Sequence, residues 1–340
     1  MDNVPRSTSH RRPLRRLLAI VAAVLVELSL LVGGALAALW LEGTDTPPTA
    51  ARGSGHDALW LGHAWVDSRR TQSDVDALVV RLYGTGVRDL FVHTGPFEND
   101  GTLDPARRPT ARWFVGAVHA ALPGVRVQAW LGAHPGEIDL GRADTREAVV
   151  ASVGQVLGDG FDGVHLDFEP LEDGDQSLLD LLHATHLLTR QRNAVLSVSA
   201  TRGEPWPGVA AVVTAIPGRL PMWSGDYLRR VSREVDQVAV MSYDSGMPSS
   251  PTYAGYVRTS TRIALEAVPP EVDLLIGVPA YHEATTYHRA GETMAAALRG
   301  VRLAIGDRTS PPHFGVAIYV DFTITEDDWA TYGRDWLGLA

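Results

Sequence analysis

Phe161-Asp162-Gly163-Val164-His165-Leu166-Asp167-Phe168-Glu169-Pro170 is the stretch whose reading decides the fold. Taken with the two-residue period of a strand, it separates into two faces. Val164, Leu166 and Phe168 share one, and all are apolar; His165, Asp167 and Glu169 share the other, and all are ionisable. A strand of a parallel α/β sheet is covered on both sides and ordinarily reads as a continuous apolar run. Three ionisable groups on a covered face are costly unless they are partnered or have a task. Pro170 cannot donate to a sheet ladder and ends the strand, so Glu169 falls at its carboxyl end, where α/β barrels carry their chemistry. Two readings stay open: a satisfied buried polar network, or an acid at the centre of a reactive site.

On either side of this strand, strand-like and helix-like stretches alternate. Strands are predicted at 58–66, 87–93, 125–131, 194–199, 235–243, 272–278 and 314–321, with 161–170 fourth in order. Helices are predicted at 71–83, with Ser73 as cap, and at 110–122, 145–157, 176–190, 225–235, 254–267, 293–305 and 326–336. Eight strands with intervening helices over residues 57–340 fit a (β/α)8 TIM barrel, which needs about 250 residues. An open doubly wound sheet is the alternative, but no Gly-rich phosphate loop follows the first strand.

Composition narrows the chemistry. The 340 residues include no cysteine and no lysine. That removes disulfides, thiolate nucleophiles, Schiff bases and a P-loop. The net charge of -10 offers no basic surface to phosphate, which argues against a nucleic-acid partner. Residues 1–16 depart from this balance, with Arg6, Arg11, Arg12, Arg15 and Arg16 against Asp2 alone. Residues 17–41 are then almost wholly apolar, long enough for a single transmembrane helix. Glu27 costs about 3 kcal/mol at mid-membrane, while the fourteen Leu, Ile and Val residues return about 0.3–0.6 kcal/mol each, so insertion wins. Arginines before the span, with Glu42 and Asp45 after it, put the N-terminus in the cytoplasm and the rest outside. A cleaved signal peptide ending at Ala35-Leu36-Ala37 is the rival reading, and it would make the chain secreted. Residues 42–56 have the composition of a flexible linker.

The ends of the predicted strands carry His63 and Trp65, His93, Trp130 and His134, Asp167 and Glu169, Ser199, Tyr243 and Asp244, Tyr281 and His282, Tyr319 and Asp321. Aromatic faces can cover the C–H face of a pyranose, and short polar groups can read hydroxyls. Cleaving a glycosidic bond needs a proton donor and something to stabilise positive charge at the anomeric carbon. Asp167 and Glu169 sit two positions apart, about 7 Å at their bases. In a dry pocket two such carboxylates resist joint ionisation, so one pKa rises.

Asp162-Gly163-Val164-His165-Leu166-Asp167-Phe168-Glu169 resembles the fourth-strand signature of glycoside hydrolase family 18, the chitinase-like family. Met241-Ser242-Tyr243-Asp244 is similar to that family's sixth-strand motif, and Gly277-Val278-Pro279-Ala280-Tyr281 to its seventh. The resemblance implies a glycosidase acting on a β-linked, N-acetylglucosamine-containing polysaccharide or oligosaccharide, with no cofactor and no metal. It implies Glu169 as general acid and Asp167 as the residue that holds the substrate's acetamido group. Tyr243 would bind the acetamido carbonyl and Asp244 would touch the sugar. That acetamido group, not an enzyme carboxylate, would attack the anomeric carbon, as this family is an exception to the two-carboxylate scheme. Asp162, His165, Trp65, Trp130, Tyr281 and Tyr319 complete the expected substrate-binding set. In two places the chain departs from the family: His165 replaces a motif aspartate, and Tyr319 or a residue near it stands where the family has a tryptophan. A neutral His165 would donate to Asp167, and a charged one would hold it ionised.

Two other functions compete. A metal-dependent barrel hydrolase would use His63, His93, His134 and His165, with Asp321. A non-catalytic carbohydrate-binding barrel would keep Trp65, Trp130 and Tyr243 as a platform. The 201–224 segment, with Trp206 and Trp223, reads as a loop above the barrel mouth, its tryptophans either walling the cleft or simply packing, while Trp113 and Trp336 read as core.

Overall fold

The computed structural model describes residues 11–339, apart from 135, 217 and 307–310. Most of the 1–16 basic tail therefore lies outside the described residues. Helix α1 (Arg11–Thr44) leads into eight strands: β1 (Asp57–Leu61), β2 (Val87–His93), β3 (Arg126–Ala133), β4 (Gly163–Phe168), β5 (Val195–Ala200), β6 (Gln237–Met241), β7 (Asp273–Pro279) and β8 (Phe314–Tyr319). They pair in parallel, each with its successor, and β8 closes on β1. Between them run α2 (Gln72–Leu82), α3 (Ala111–Ala121), α4 (Ala143–Gly158), α5 (Gln176–Gln191), α6 (Val209–Thr214), α7 (Gly225–Ser232), α8 (Ser250–Ala267) and α9 (Met294–Ile305), with α10 (Glu326–Tyr332) last. The chain is a (β/α)8 barrel, as the alternation predicts.

The two faces of each strand have separate tasks. Val164, Leu166 and Phe168 point outward beneath the helices and join the main apolar core with Val198, Val240, Ile276 and Ile318. Inside the barrel, a floor of Asp89, Gln128 and Gln237 is mutually hydrogen-bonded at 2.8–3.1 Å. Arg126 closes that floor with a bidentate pair to Asp89 at 2.6 Å. Above it lies an apolar layer of Trp60, Phe91, Ala239, Leu275 and Ala317. The reactive end of the barrel is above that layer again.

Two element readings change. The first strand ends at Leu61, because residues 63–65 turn into a 3-10 helix, and the cap of α2 is Thr71 rather than Ser73. Thr71 and Asp74 form the reciprocal capping box there, the Asp74 carboxylate accepting the Thr71 N–H at 2.8 Å.

The linker reading of 42–56 is corrected. Helix α1 runs on to Thr44 and docks on α8 with Leu39 buried. The approach is so close that a Cβ on Gly255 would fall 1.8 Å from the Leu39 carbonyl oxygen. Arg258 and Arg299 donate to the carbonyls of Glu42, Gly43 and Thr44 at 2.7–2.8 Å, supplying cations where a helix end needs them. Arg302 binds the carbonyls of Pro48 and Ala51, and Ala51 is fully buried. Gly, Pro and Thr gave this stretch a linker's composition; arginines on α8 and α9, far away in sequence, fasten it.

Helix α1 is long and apolar enough to cross a membrane, with a mean hydropathy of 2.5 over its most apolar window; a signal sequence passes the same test.

Candidate active site

Strand β4 delivers its inner-face residues to the mouth in order of depth. His165 is fully buried, stacked on Phe91 with ring centroids 3.9 Å apart. Its Nδ1 is hydrogen-bonded to Ser197 at 2.8 Å and its Nε2 to Ser199 at 2.9 Å. Burial depresses its pKa to about 3, so the ring is neutral. The expected direct bond from His165 to Asp167 is therefore replaced by a serine: Ser199 lies between them, and its hydroxyl helps hold the Asp167 pKa down. The cause is register. Ser197 pairs with His165 across the β4–β5 ladder, and the inner face of β5 carries two hydroxyls.

Asp167 comes next. The indole Nε1 of Trp130 donates to its Oδ2 at 2.8 Å. Its Oδ1 is buried and has no partner. An acceptor in that state costs about 1–3 kcal/mol unless a ligand donor meets it. Burial raises the Asp167 pKa.

Glu169 stands at the rim and, with His134, Pro170, Arg202, Leu220, Met241 and Tyr243, lines a cavity of about 220 Å³. Loss of solvent is the main force on its carboxyl, the nearby Asp167 adds to it, and Arg202 pulls the other way; the result is a pKa of about 8. At neutral pH Glu169 holds its proton.

Tyr243 is buried, stacked on Tyr319 at 5.1 Å and edge-on to Tyr281 at 5.9 Å. Burial comes first in raising its pKa, with Tyr319 and Glu169 next, so the phenol stays a donor. Tyr281 donates from its hydroxyl to Asp244 Oδ1 at 2.8 Å, and Asp244 holds a φ of +53° three residues past β6. Tyr319 also meets Trp60 and Trp130 edge-on, at 5.6 and 6.1 Å. Asp167, Glu169, Tyr243, Asp244, Trp130, Tyr281 and Tyr319 thus gather at one end of the barrel.

Three expected substrate residues do not: His165, fully buried with both ring nitrogens bonded to serines, and Trp65 and Asp162. Trp65 is 6% exposed and lies against Phe114 of α3, its indole N–H bound to Asp321 Oδ2 at 2.7 Å. The 3-10 turn after β1 swings it outside the barrel wall. Asp162 precedes β4, and accepts from the Val127 N–H at 2.7 Å and pairs with His119 at 2.8 Å. Five residues of strand, roughly 17 Å, separate it from Asp167.

The metal-hydrolase residues do not converge either. His63 and His93 bond to each other at 3.0 Å, His134 bonds to the Glu169 carbonyl, and Asp321 is taken by Trp65 and the Gly62 N–H. Among the described residues, the His and carboxylate atoms close enough to share an ion belong to His56, Asp273 and His313, at the opposite end of the barrel.

Sequence reading missed Arg202, Thr201 and Leu220 as cavity residues, and Ser197 as the partner of His165. The serines were legible from the period of β5; Arg202 sits past a strand end with no motif around it. The 201–224 segment contains α6 rather than a bare loop. Trp223 is buried against Tyr227 and donates to the Leu171 carbonyl at 3.0 Å, so it packs beneath the segment instead of walling the cleft. Trp336 is core, whereas Trp113 is 37% exposed.

No family model matches this chain. No curated protein matches it. Solved structures do. The spore cortex-lytic enzyme SleL of Bacillus megaterium is similar at 12% identity and a TM-score of 0.57, over 85% of this chain and 76% of that one. A chitinase from Chromobacterium violaceum is similar at 14% identity and a TM-score of 0.55, over 82% of this chain and 98% of that one. For the Group IV chitinase of Ostrinia furnacalis the match spans 66% of each chain, at 19% identity and a TM-score of 0.49. The first two share this chain's barrel fold.

Proposed function

We propose that this chain is a glycoside hydrolase that cleaves a β-linked glycan containing N-acetylglucosamine, of peptidoglycan or chitin type, with retention and with the substrate's own acetamido group as nucleophile. The observation that carries the reading is the placing of a protonated Glu169 and an orphaned Asp167 acceptor, two residues apart, beside the phenol of Tyr243. The solved chitinase and the cortex-lytic enzyme of the same fold agree with it.

Glu169 gives its proton to the glycosidic oxygen as the bond to the anomeric carbon breaks. The acetamido oxygen closes on that carbon from the other face and forms an oxazolinium ion. Asp167 Oδ1 accepts the acetamido N–H, aligns the group and balances its growing positive charge. Tyr243 donates to the acetamido oxygen. Water then opens the ring, and Glu169 takes the proton back. His165 supplies no charge; it fixes Ser199, which fixes Asp167. Substituting His for a motif Asp therefore removes a proton-sharing partner and leaves the polar support intact.

Helix α1 serves as a membrane anchor with the N-terminus cytoplasmic, and its docked end holds the barrel against the outer surface, where a cell-wall glycan is within reach. The test is new reducing ends. Full-length chain in detergent micelles should release them from N-acetylglucosamine oligomers or muropeptides, and should leave the N-deacetylated oligomers uncut. Equal cleavage of the deacetylated oligomers would rule out participation by the acetamido group.

A further inference from the structure

The cavity beside Glu169 has one cationic wall, formed by Arg202 just past β5. Arg202 is half-buried. Its Nη1 donates to the Asp244 carbonyl, and its Nη2 to the Pro221 carbonyl at 3.3 Å. A guanidinium has five N–H donors, so these two bonds leave most of the fork unused. Among the described residues Arg202 has no ion-pair partner. Two acids share that cavity: Glu169, and Asp244, whose carboxylate accepts from the Tyr281 hydroxyl at 2.8 Å and has His288 at 3.8 Å.

A clamp between two carbonyls does not need a cation; a neutral amide would do. The positive charge also opposes the site's chemistry, because it pulls down the pKa of the acid that must keep a proton. A part-desolvated charge that lacks a carboxylate and works against the general acid calls for an anion from outside. A bound anion would neutralise Arg202 and so help Glu169 keep its proton in the substrate complex.

We propose that Arg202 selects a glycan that bears a carboxylate on a sugar next to the scissile bond, and binds it as a planar bidentate pair. This rests on the glycosidase reading and names its substrate class: acidic N-acetylated glycans, in preference to neutral ones of the same backbone.

The test uses full-length E169Q in micelles, so that ligand is not consumed. Its affinity is measured by calorimetry for an N-acetylglucosamine-containing oligosaccharide carrying a lactyl carboxylate, and for the methyl ester of the same compound. The acid is expected to bind at least about tenfold tighter than the ester. Adding R202Q should bring the two affinities together, and adding R202K, which keeps the charge, should preserve part of the gap. Equal affinity of E169Q for acid and ester, binding of neither, or a gap that survives R202Q would overturn the proposal. Cleavage is scored apart, with the wild type: acid-selective binding without any cleavage would remove the glycosidase reading and leave the selection by Arg202 standing.

Discussion

Glu169 has a carboxyl whose pKa, about 8, lies well above its ordinary 4.5 because the protein replaces most of its water and Asp167 stands beside it. The rate of glycan cleavage should therefore fall as pH rises through about 8, when the donor loses its proton. Stability has the same sign. The folded state binds this proton more tightly than the unfolded chain, so its contribution is complete below about 4.5 and is lost as pH rises through about 8. Melting curves of wild type and Glu169→Gln should draw apart over that interval, with the variant becoming the more stable; parallel curves would contradict the raised pKa. His165 gives a second prediction at this scale. His165→Phe keeps the stack on Phe91 but removes the ring nitrogens that partner Ser197 and Ser199, and should cost about 1–3 kcal/mol in urea titrations. A variant as stable as wild type would show that the serines find other partners.

At the scale of elements, the two-residue period of β4 told most of the site. Glu169 and Asp167 share parity with His165, and that face turned out to be the barrel interior. The same parity places Asp162 on the outer face and ahead of the strand; the motif resemblance drew it into the site against that signal. Trp65 was lost for another reason: the turn after Leu61 breaks the strand period, and nothing in His63-Ala64-Trp65 announces it. Helix α1 shows where composition misleads. Its docking on α8 depends on two glycines that let the backbones touch, and on arginines more than 200 positions away in sequence. Gly255→Val in the full chain should unseat α1 and expose residues 42–56 to protease, while the barrel stays resistant. Unchanged digestion would mean that the arginines alone hold the segment.

For the whole molecule, eight strand–helix alternations were legible, and closure followed from their number. What closes the floor was not. Asp57 opens β1 at the bottom of the barrel, fully buried, and accepts from Tyr332 at 2.6 Å and from Trp336 at 2.9 Å. Asp57 also accepts from the Val316 N–H of β8, so α10 and the residues just after it seal the seam where β8 meets β1. Such pairings join residues some 275 positions apart, beyond the reach of any local pattern. Trp336→Ala should cost about 3–5 kcal/mol in denaturant titrations, from the cavity and from the lost donor to Asp57; a cost below about 1 kcal/mol would show that the C-terminus is dispensable to closure. The polar floor and the polar mouth lie on opposite sides of one apolar layer, so stability and chemistry are served by different ends of the same strands.

The central claim, that Glu169 is the proton donor of a glycosidase, meets its most direct test in one assay. Full-length wild type and Glu169→Gln are each incubated with an N-acetylglucosamine tetrasaccharide and with soluble muropeptides, and reducing ends are counted over time. The account predicts release by the wild type from at least one of them, and a rate about 10²–10⁴-fold lower in the variant, the range a positioned general acid supplies. No release by the wild type, or equal release by the two proteins, would contradict it.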